Sequence, residues 1–471
     1  MEHRFFQTYQ TQTSKELSGF FYSSLWDCLI LQAAYSEKFV SDMVIALGAV
    51  TTAQVAARQG NEGAITSIKR LGLSKYEEGI RGMKESLEHA GENPRTALIG
   101  CLLVCCFEGL LGQRSFAMAH ARSGYKLLKD WLGKRTDTKH CRPGMPFPLF
   151  EEVEEVLIQA FLRLDTHVMM FLDNRPQELY SDSPTAGSCA LDYMPIMFSN
   201  IDEARVYHEI IMKRMQHWIR STVTRWAEDS GQQFDPLSVP TWNGLGHIFQ
   251  SSPEKQDTDA DPMLTSQCRN QKMTQIRERR RWETAFAPLY QAISASQPSL
   301  SLAANILLEQ SLLAGLTLSH DYTSLNPETL TAFKQIVDLC QVIVEQTEDI
   351  RNQHASSFTF DSGIISGLHY AAKWSPDRML RRQAIDLLLA YSFREGVWDS
   401  LMLAELNQHI IDLEDDAIEK GYTLEDSRVR IADLEIDSTS TTTTITLFGG
   451  SEKIASTFIW EDDPRSALLC R

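Results

Sequence analysis

Apolar residues recur along most of the chain at steps of three and four. Val40, Met43, Val44, Leu47 and Val50 fall on one face of a helix. Ser41 and Asp42 lie near its start, where polar caps and carboxylates are favoured. Tyr76, Ile80, Met83 and Leu87 repeat the pattern. From Pro94 to Leu111 the chain is apolar nearly all round, with Leu98, Ile99, Leu102, Leu103, Val104 and Phe107. A helix of that kind is buried among other helices. Gly109 and Gly112 then mark a turn, and Ala121, Tyr125, Leu128 and Leu132 resume the helical period, so 94–132 reads as an antiparallel helical hairpin. The same spacing predicts helices over about 150–172, 202–226, 272–294, 299–318, 329–346, 363–373, 376–391 and 396–420.

Two stretches interrupt this rhythm. Residues 136–148 hold Pro143, Gly144, Pro146 and Pro148 and read as a loop. Residues 251–271 are polar and acidic, the composition of a flexible insertion. The end of the chain changes character. Val429, Ile431, Leu434 and Ile436, then Ile445 and Leu447, then Phe458 and Trp460 sit in short β-prone runs, with a Ser/Thr tract over 438–444. The expected fold is mainly α: a large multi-helix body over 1–424, closed by a small C-terminal β-hairpin or meander over 425–471.

Composition narrows the function. The chain has 471 residues, 43% of them hydrophobic, enough for a large core. Lys and Arg number 45 against 62 Asp and Glu, a net charge of −17. Binding DNA phosphates needs clustered cations, so a chain this acidic is a poor grip for DNA over its whole surface. The densest basic run is Arg277, Arg279, Arg280 and Arg281, in RERRRW; it reads as a solvated helix face, with a phosphate contact as the alternative. The N-terminus lacks the apolar core of a signal peptide, no uninterrupted apolar run reaches about 18–20 residues, and no Asn-x-Ser/Thr sequon occurs. Together these favour an intracellular protein without a membrane span. The nine cysteines are scattered with no disulfide-like pairing and read as thiols in a reducing compartment.

Several segments, in order, resemble one family. They are LSGFFYSSLWDCLILQAAYSEKFVSDMVIALGAV, with Trp26, Leu31, Ala46, Leu47 and Ala49; KYEEGIRGMKESL; and the hairpin segment with Phe107, Glu108, Gly112, Ala119, His120, Gly124, Leu127 and Leu128. FLRLDTHVMMF follows, with Arg163, Leu164 and Asp165. The closing stretch carries Phe360, Asp361, Gly363, Arg381, Arg382, Ala384, Ile385, Leu388, Arg394, Glu395, Gly396, Trp398, Asp399 and Ser400. Over roughly residues 3–460, apart from the acidic insertion, the chain resembles the fungal-specific transcription factor regulatory domain, the middle homology region that follows a zinc binuclear cluster. The cluster itself needs six closely spaced thiolates, converging on zinc at about 2.3 Å. No Cys-x-x-Cys occurs here, and Cys101, Cys105 and Cys106, the only cysteine group, lie in an apolar helix and read as core thiols. Since the resemblance begins almost at Met1, the chain is expected either to lack the zinc module or to be a truncated form of a protein that has it.

Other chemistries find little support. Asp415, Asp416 and Glu419 spell Asp-Asp-x-x-Glu, which in a terpene synthase would hold magnesium against a diphosphate. The partner motif Asn-x-x-x-Ser-x-x-x-Glu is missing: after Asn305, Glu309 stands where Ser is required. The acidic run otherwise reads as a solvated helix face. His-Glu-x-x-His and a Walker loop are absent, and His167 and His369 read as core or boundary histidines. Gly244-Leu-Gly246 reads as a turn, and Ser366 before Gly367 misses the nucleophile-elbow spacing by one residue. Asp165 with Arg163, and Arg381 with Glu395, are candidate internal ion pairs. Arg163 and Asp165, two apart, cannot face each other on a helix, so each is expected to reach another element.

No catalytic or metal residue is therefore assigned, no cofactor is called for, and no enzyme is expected. The resemblance implies a transcriptional regulator acting through protein or small-molecule contacts rather than by reading DNA itself. It implies a nuclear location and ties to a metabolic or secondary-metabolite gene cluster. The expected partners are another transcription regulator, a second copy of the chain, or a small-molecule effector. The alternatives are a helical magnesium-dependent enzyme and a module that sequesters a full-length zinc-cluster relative.

Overall fold

Helices dominate, as the spacing predicts. The computed structural model describes residues 1–89, 94–135, 152–171, 188–230, 262–318, 327–353, 358–396, 398–423, 427, 429–437, 442–449 and 456–461. The expected loop at 136–148 lies outside them.

The N-terminal layer is built on one apolar helix. Helices α1 (Glu2–Thr8) and α2 (Ser14–Ser18) are joined by a π turn at Tyr9–Thr13, and a second π turn, Leu25–Leu29, leads into α3 (Ile30–Ser36). These wrap α4 (Lys38–Arg58), against which α5 (Glu62–His89) packs along much of its length. Helix α4 carries apolar side chains on every side because neighbours cover every side: Val40, Val44, Ala46, Leu47, Ala49 and Ala53 are all buried. By length and composition, Lys38–Ala57 and Pro298–Leu318 could each cross a membrane, yet most of each is buried among other helices.

The contact between α1 and α4 depends on Gly48. A Cβ there would lie 2.0 Å from the Phe5 carbonyl oxygen and 3.1 Å from the Tyr9 nitrogen. Helix propensity alone would favour alanine by about 1 kcal/mol. Backbone cannot retreat as a side-chain tip can, so the clash wins. Gly48→Ala is expected to lower stability by roughly 2–3 kcal/mol, read by urea unfolding. A variant as stable as the parent would show that α1 does not approach α4 this closely.

The hairpin forms from α6 (Pro94–Leu110) and α7 (Arg114–Arg135). Gly112 makes the turn at φ 79°, a conformation open to glycine, and the Gln113 N–H caps the helix end by donating to the Glu108 carbonyl. Next come α8 (Glu152–Phe171), the short α9 (Ser188–Asp192), α10 (Ile201–Ser230) and α11 (Pro262–Ser296). Helix α11 begins ten residues earlier than the hydrophobic period predicts. The second half of the expected acidic insertion is thus helical, and 251–261 lies outside the described residues. Proline suits a first helical turn, and burial of Cys268, Lys272 and Gln275 holds the early turns to the body.

The C-terminal half adds α12 (Pro298–Leu318), α13 (Pro327–Gln353), α14 (Ile365–Trp374), α15 (Arg378–Tyr391) and α16 (Ser400–Glu419). Asp377 and Asp399 cap α15 and α16, each carboxylate accepting from two backbone N–H groups of the first turn. A very short ladder ties distant segments together. In it β1 (Phe358–Thr359) runs parallel to β2 (Arg394–Glu395), which pairs antiparallel with β3 (Trp398–Asp399). The terminal meander is β4 (Val429–Asp437), β5 (Thr442–Gly449) and β6 (Ser456–Glu461), all antiparallel in order 4-5-6. It packs on α7 and α16. One continuous apolar cluster runs from Tyr9 to Trp460.

The ion pairing of Arg381 differs from the sequence expectation. Its partner is Glu414 of α16, not Glu395, and it also donates to the Ala372 carbonyl. Glu414 in turn accepts from the Val429 N–H, fastening the start of the meander to the helices.

Candidate functional site

A buried charge cluster joins three remote stretches of chain. Arg163 comes from α8, Arg205 and Glu209 from α10, and Asp361 from the segment just after β1. The Arg205 guanidinium donates to Glu209 (Nε to Oε1, 2.7 Å) and to Asp361 (Nη2 to Oδ1, 2.7 Å). Arg163 reaches the same two carboxylates at 3.2 and 3.4 Å. Arg205 also lies over the Phe21 ring, 4.0 Å from its centroid. Burial works against the charged carboxyl of Glu209, but Arg163 and Arg205 more than offset it and hold Glu209 below the usual carboxylate range. Burial likewise works against Arg205, and Asp361 and Glu209 overcome it.

This cluster forms one wall of a pocket between α8, α10, α12 and α14, with about 590 Å³ of empty space counted out to its open mouth. Phe21, Met212, Leu307 and Leu313 supply its apolar surface; Thr166, His208, Gln310, Ser362 and Ser366 complete it. His208 is 3% exposed and its Nε2 has no hydrogen-bond partner among the described residues. Burial pushes its imidazole down to about 4, so at neutral pH the ring is uncharged, with one N–H and one lone pair. Helix geometry puts these groups together: Arg205, His208, Glu209 and Met212 are spaced i, i+3, i+4 and i+7, one face of α10.

A second polar pair lies behind the pocket. Glu395 is buried and accepts from the Ile364 and Ile365 N–H groups (3.0 and 3.3 Å) and from the Tyr391 hydroxyl (2.8 Å). Burial nevertheless pushes its carboxyl up to about 7, against the pull of those bonds. Glu309 of α12 is fully buried, and neither of its oxygens has a hydrogen-bond partner among the described residues. Burial, reinforced by nearby Glu395, holds it well above the usual range, so it is a neutral acid. Gly363, just before α14, and Gly367, within it, leave room for the two carboxyls: a Cβ at Gly363 would collide with Glu395 and one at Gly367 with Glu309.

The residues singled out from sequence fall into place as structure. Asp165 pairs with His217 (3.0 Å) and Lys213 (3.8 Å) of α10, so it and Arg163 each reach another helix, as their spacing predicts. Cys101, Cys105 and Cys106 are buried in α6, and burial pushes the Cys101 thiol up to about 11, away from the thiolate a metal needs. Among the described residues no group of three or more His, Cys, Asp or Glu is placed to hold a metal ion. Asp415 is held by Arg378 and lies 3.6 Å from Arg382, so its charge is matched by guanidinium groups of α15. His369 is buried, bonded to Asn407, and pushed down to about 3 by burial. The side chain of His167 lies outside the described residues. The basic run is divided around α11: Arg281 donates to the Leu191, Asp192 and Met194 carbonyls, Arg279 pairs with Glu283, and Arg277 and Arg280 face solvent. What the sequence reading missed is the set Arg205, His208 and Glu209, whose signal was three polar residues on the core-facing stripe of a helix.

Comparison with known proteins matches residues 4–182 to the family model of the fungal specific transcription factor domain. No curated protein and no solved structure matches the chain. The matched segment supplies Phe21, Arg163 and Thr166 to the pocket, and the other lining residues come from beyond it.

Proposed function

We propose, with the fungal specific transcription factor domain at residues 4–182 as the premise, that this chain is a transcription-factor-like regulator whose output is set by contacts at the pocket. The domain match is the observation that carries the reading. The pocket supports its finer part. A molecule seated there touches α8 from the matched segment and α10, α12 and α14 from the rest, so it can favour one relative arrangement of these elements over another. The net charge of −17 opposes phosphate binding, so DNA recognition is assigned to a partner, either another transcription regulator or a segment outside this chain. A nuclear location and control of a metabolic or secondary-metabolite gene cluster belong to the same proposal and rest on the resemblance alone.

The test is to fuse the full chain to an unrelated DNA-binding domain and measure a reporter carrying that domain's site. Transcription is expected to change severalfold, up or down, against the DNA-binding domain alone. Output indistinguishable from that control would overturn the reading.

A further inference from the structure

We propose that the pocket takes an uncharged small molecule with an apolar body and one hydroxyl or carbonyl oxygen. This deepens the regulatory reading above and rests on it for its biological purpose, although binding itself is measured without any transcriptional readout.

Charge decides the class of ligand. Each guanidinium in the wall already has its counter-charge: Arg163 and Arg205 stand against Glu209 and Asp361, two cations to two anions. An anionic ligand would have to displace one of these carboxylates from its arginines and leave it buried. A cationic ligand would have to displace an arginine. Either exchange leaves a protein charge without a partner in a buried place, which is unfavourable. A neutral molecule disturbs none of the four pairs.

The unspent groups then set the polar end. The two N–H donors of the Gln310 amide go to the Ser362 and Gly363 carbonyls, both at 3.2 Å, so what Gln310 can still offer is its carbonyl oxygen. The Thr166 hydroxyl already donates to the Leu162 carbonyl at 2.9 Å. His208 offers one N–H and one lone pair, and its buried Nε2 makes no hydrogen bond among the described residues. A buried polar atom left without a partner is unfavourable, and a ligand oxygen can supply one. A hydroxyl suits both neighbours, since it can accept from the imidazole and donate to the amide oxygen. Phe21, Met212, Leu307 and Leu313 supply the apolar surface of the same pocket.

The experiment uses three probes that share one ring system and differ in charge: 2-naphthol, 2-naphthoate and 2-naphthylmethylammonium. Each is titrated into the purified full chain at pH 7 by isothermal calorimetry. Saturable binding of 2-naphthol is expected, with both charged probes at least about tenfold weaker. Ser366→Trp, which fills the pocket, is expected to weaken 2-naphthol at least about tenfold with an unchanged unfolding midpoint; Met212→Trp serves where that variant does not fold. His208→Phe keeps the ring shape and is expected to weaken 2-naphthol severalfold. Binding of 2-naphthoate or the ammonium probe as tight as 2-naphthol would overturn the proposal. So would 2-naphthol binding that both filling variants leave unchanged, or no saturable binding at all. The tethered reporter separates the two readings. Lost binding with intact transcriptional output sinks the pocket proposal alone, whereas neutral-selective binding without output sinks the regulatory reading alone.

Discussion

Asp361→Ala is expected to lower the unfolding free energy by roughly 3–5 kcal/mol. The carboxylate is buried and faces both Arg205, at 2.7 Å, and Arg163, at 3.4 Å. Its removal leaves two largely buried guanidinium groups sharing Glu209. The cost comes from the stranded charge more than from the lost bond, which two controls can separate. Asp361→Asn keeps the volume and an acceptor oxygen but removes the charge, and is expected to recover only part of the loss. The double variant Asp361→Ala with Arg205→Met removes one charge of each sign, and is expected to be more stable than the sum of the single losses by about 1–3 kcal/mol. Urea unfolding of the parent, Asp361→Ala, Asp361→Asn, Arg205→Met and the double variant reads all of this. Strict additivity, or a loss under about 1 kcal/mol for Asp361→Ala, would mean that solvent reaches the cluster and screens it. Such a cluster is a weak source of net stability compared with a well-packed apolar core. What it supplies is registration: Arg163 and Arg205 each meet both Glu209 and Asp361, which ties α8, α10 and the segment after β1 together.

That registration explains which parts of the molecule could be read from sequence. The hairpin of α6 and α7 was legible because Leu98, Leu102, Val104, Phe107 and Leu128 repeat at helical steps, and Gly112 marks the turn between them. The C-terminal strands were legible from Val429, Leu447 and Trp460 in short β-prone runs, all three now buried. The start of α11 was not, because burial of Lys272 and Gln275 is imposed by tertiary packing on residues that look solvated in isolation. The ladder of β1, β2 and β3 was invisible, since two-residue strands carry no period. The pocket was half legible. Arg163, Phe360 and Asp361 stood out through the resemblance, but the bond from Arg205 to Asp361 spans 156 residues and no local pattern encodes it. A local signal did exist for α10. Arg205, His208 and Glu209 interrupt the stripe that Ala204, Ile211, Met215 and Trp218 mark as buried, and polar residues on a buried stripe need partners. Arg381 shows the same limit in reverse: Glu395 is near in sequence, but Tyr391 and the N–H groups at the start of α14 occupy it, and Arg381 pairs with Glu414.

Those two buried acids should make the protein less stable as pH rises from 5 to 8. Glu395 has a folded-state value near 7 against an ordinary 4.5, and Glu309 is raised well above 4.5. When folding raises the value of an acid, the native state binds more protons than the unfolded chain between the two values. The associated stability is therefore fully present below about pH 4.5 and is lost as pH climbs through the folded-state value. For Glu395 alone, about 1.4 kcal/mol per unit over this interval gives a loss of roughly 3 kcal/mol by pH 8. Cys340 and Tyr391 face the same carboxyls but are themselves raised well above their ordinary values, so they stay neutral across this window. The net charge of −17 also grows more repulsive at high pH, so the slope of the parent protein is not by itself decisive. Glu309→Gln isolates the effect, because it keeps the shape and removes the titration. At pH 5, where Glu309 is already neutral in the fold, the variant is expected to match the parent within about 1 kcal/mol. At pH 8 it is expected to be the more stable of the two, by an amount that grows with pH until the parent acid finally ionises or the fold gives way. Urea midpoints at pH 5, 6, 7 and 8 for both proteins provide the comparison. Parallel curves would mean that Glu309 is ionised in the fold with a counter-charge or water beside it. Curves that diverge above pH 5 would establish a neutral carboxylic acid locked behind the pocket, held there by Gly367, whose missing side chain makes the space.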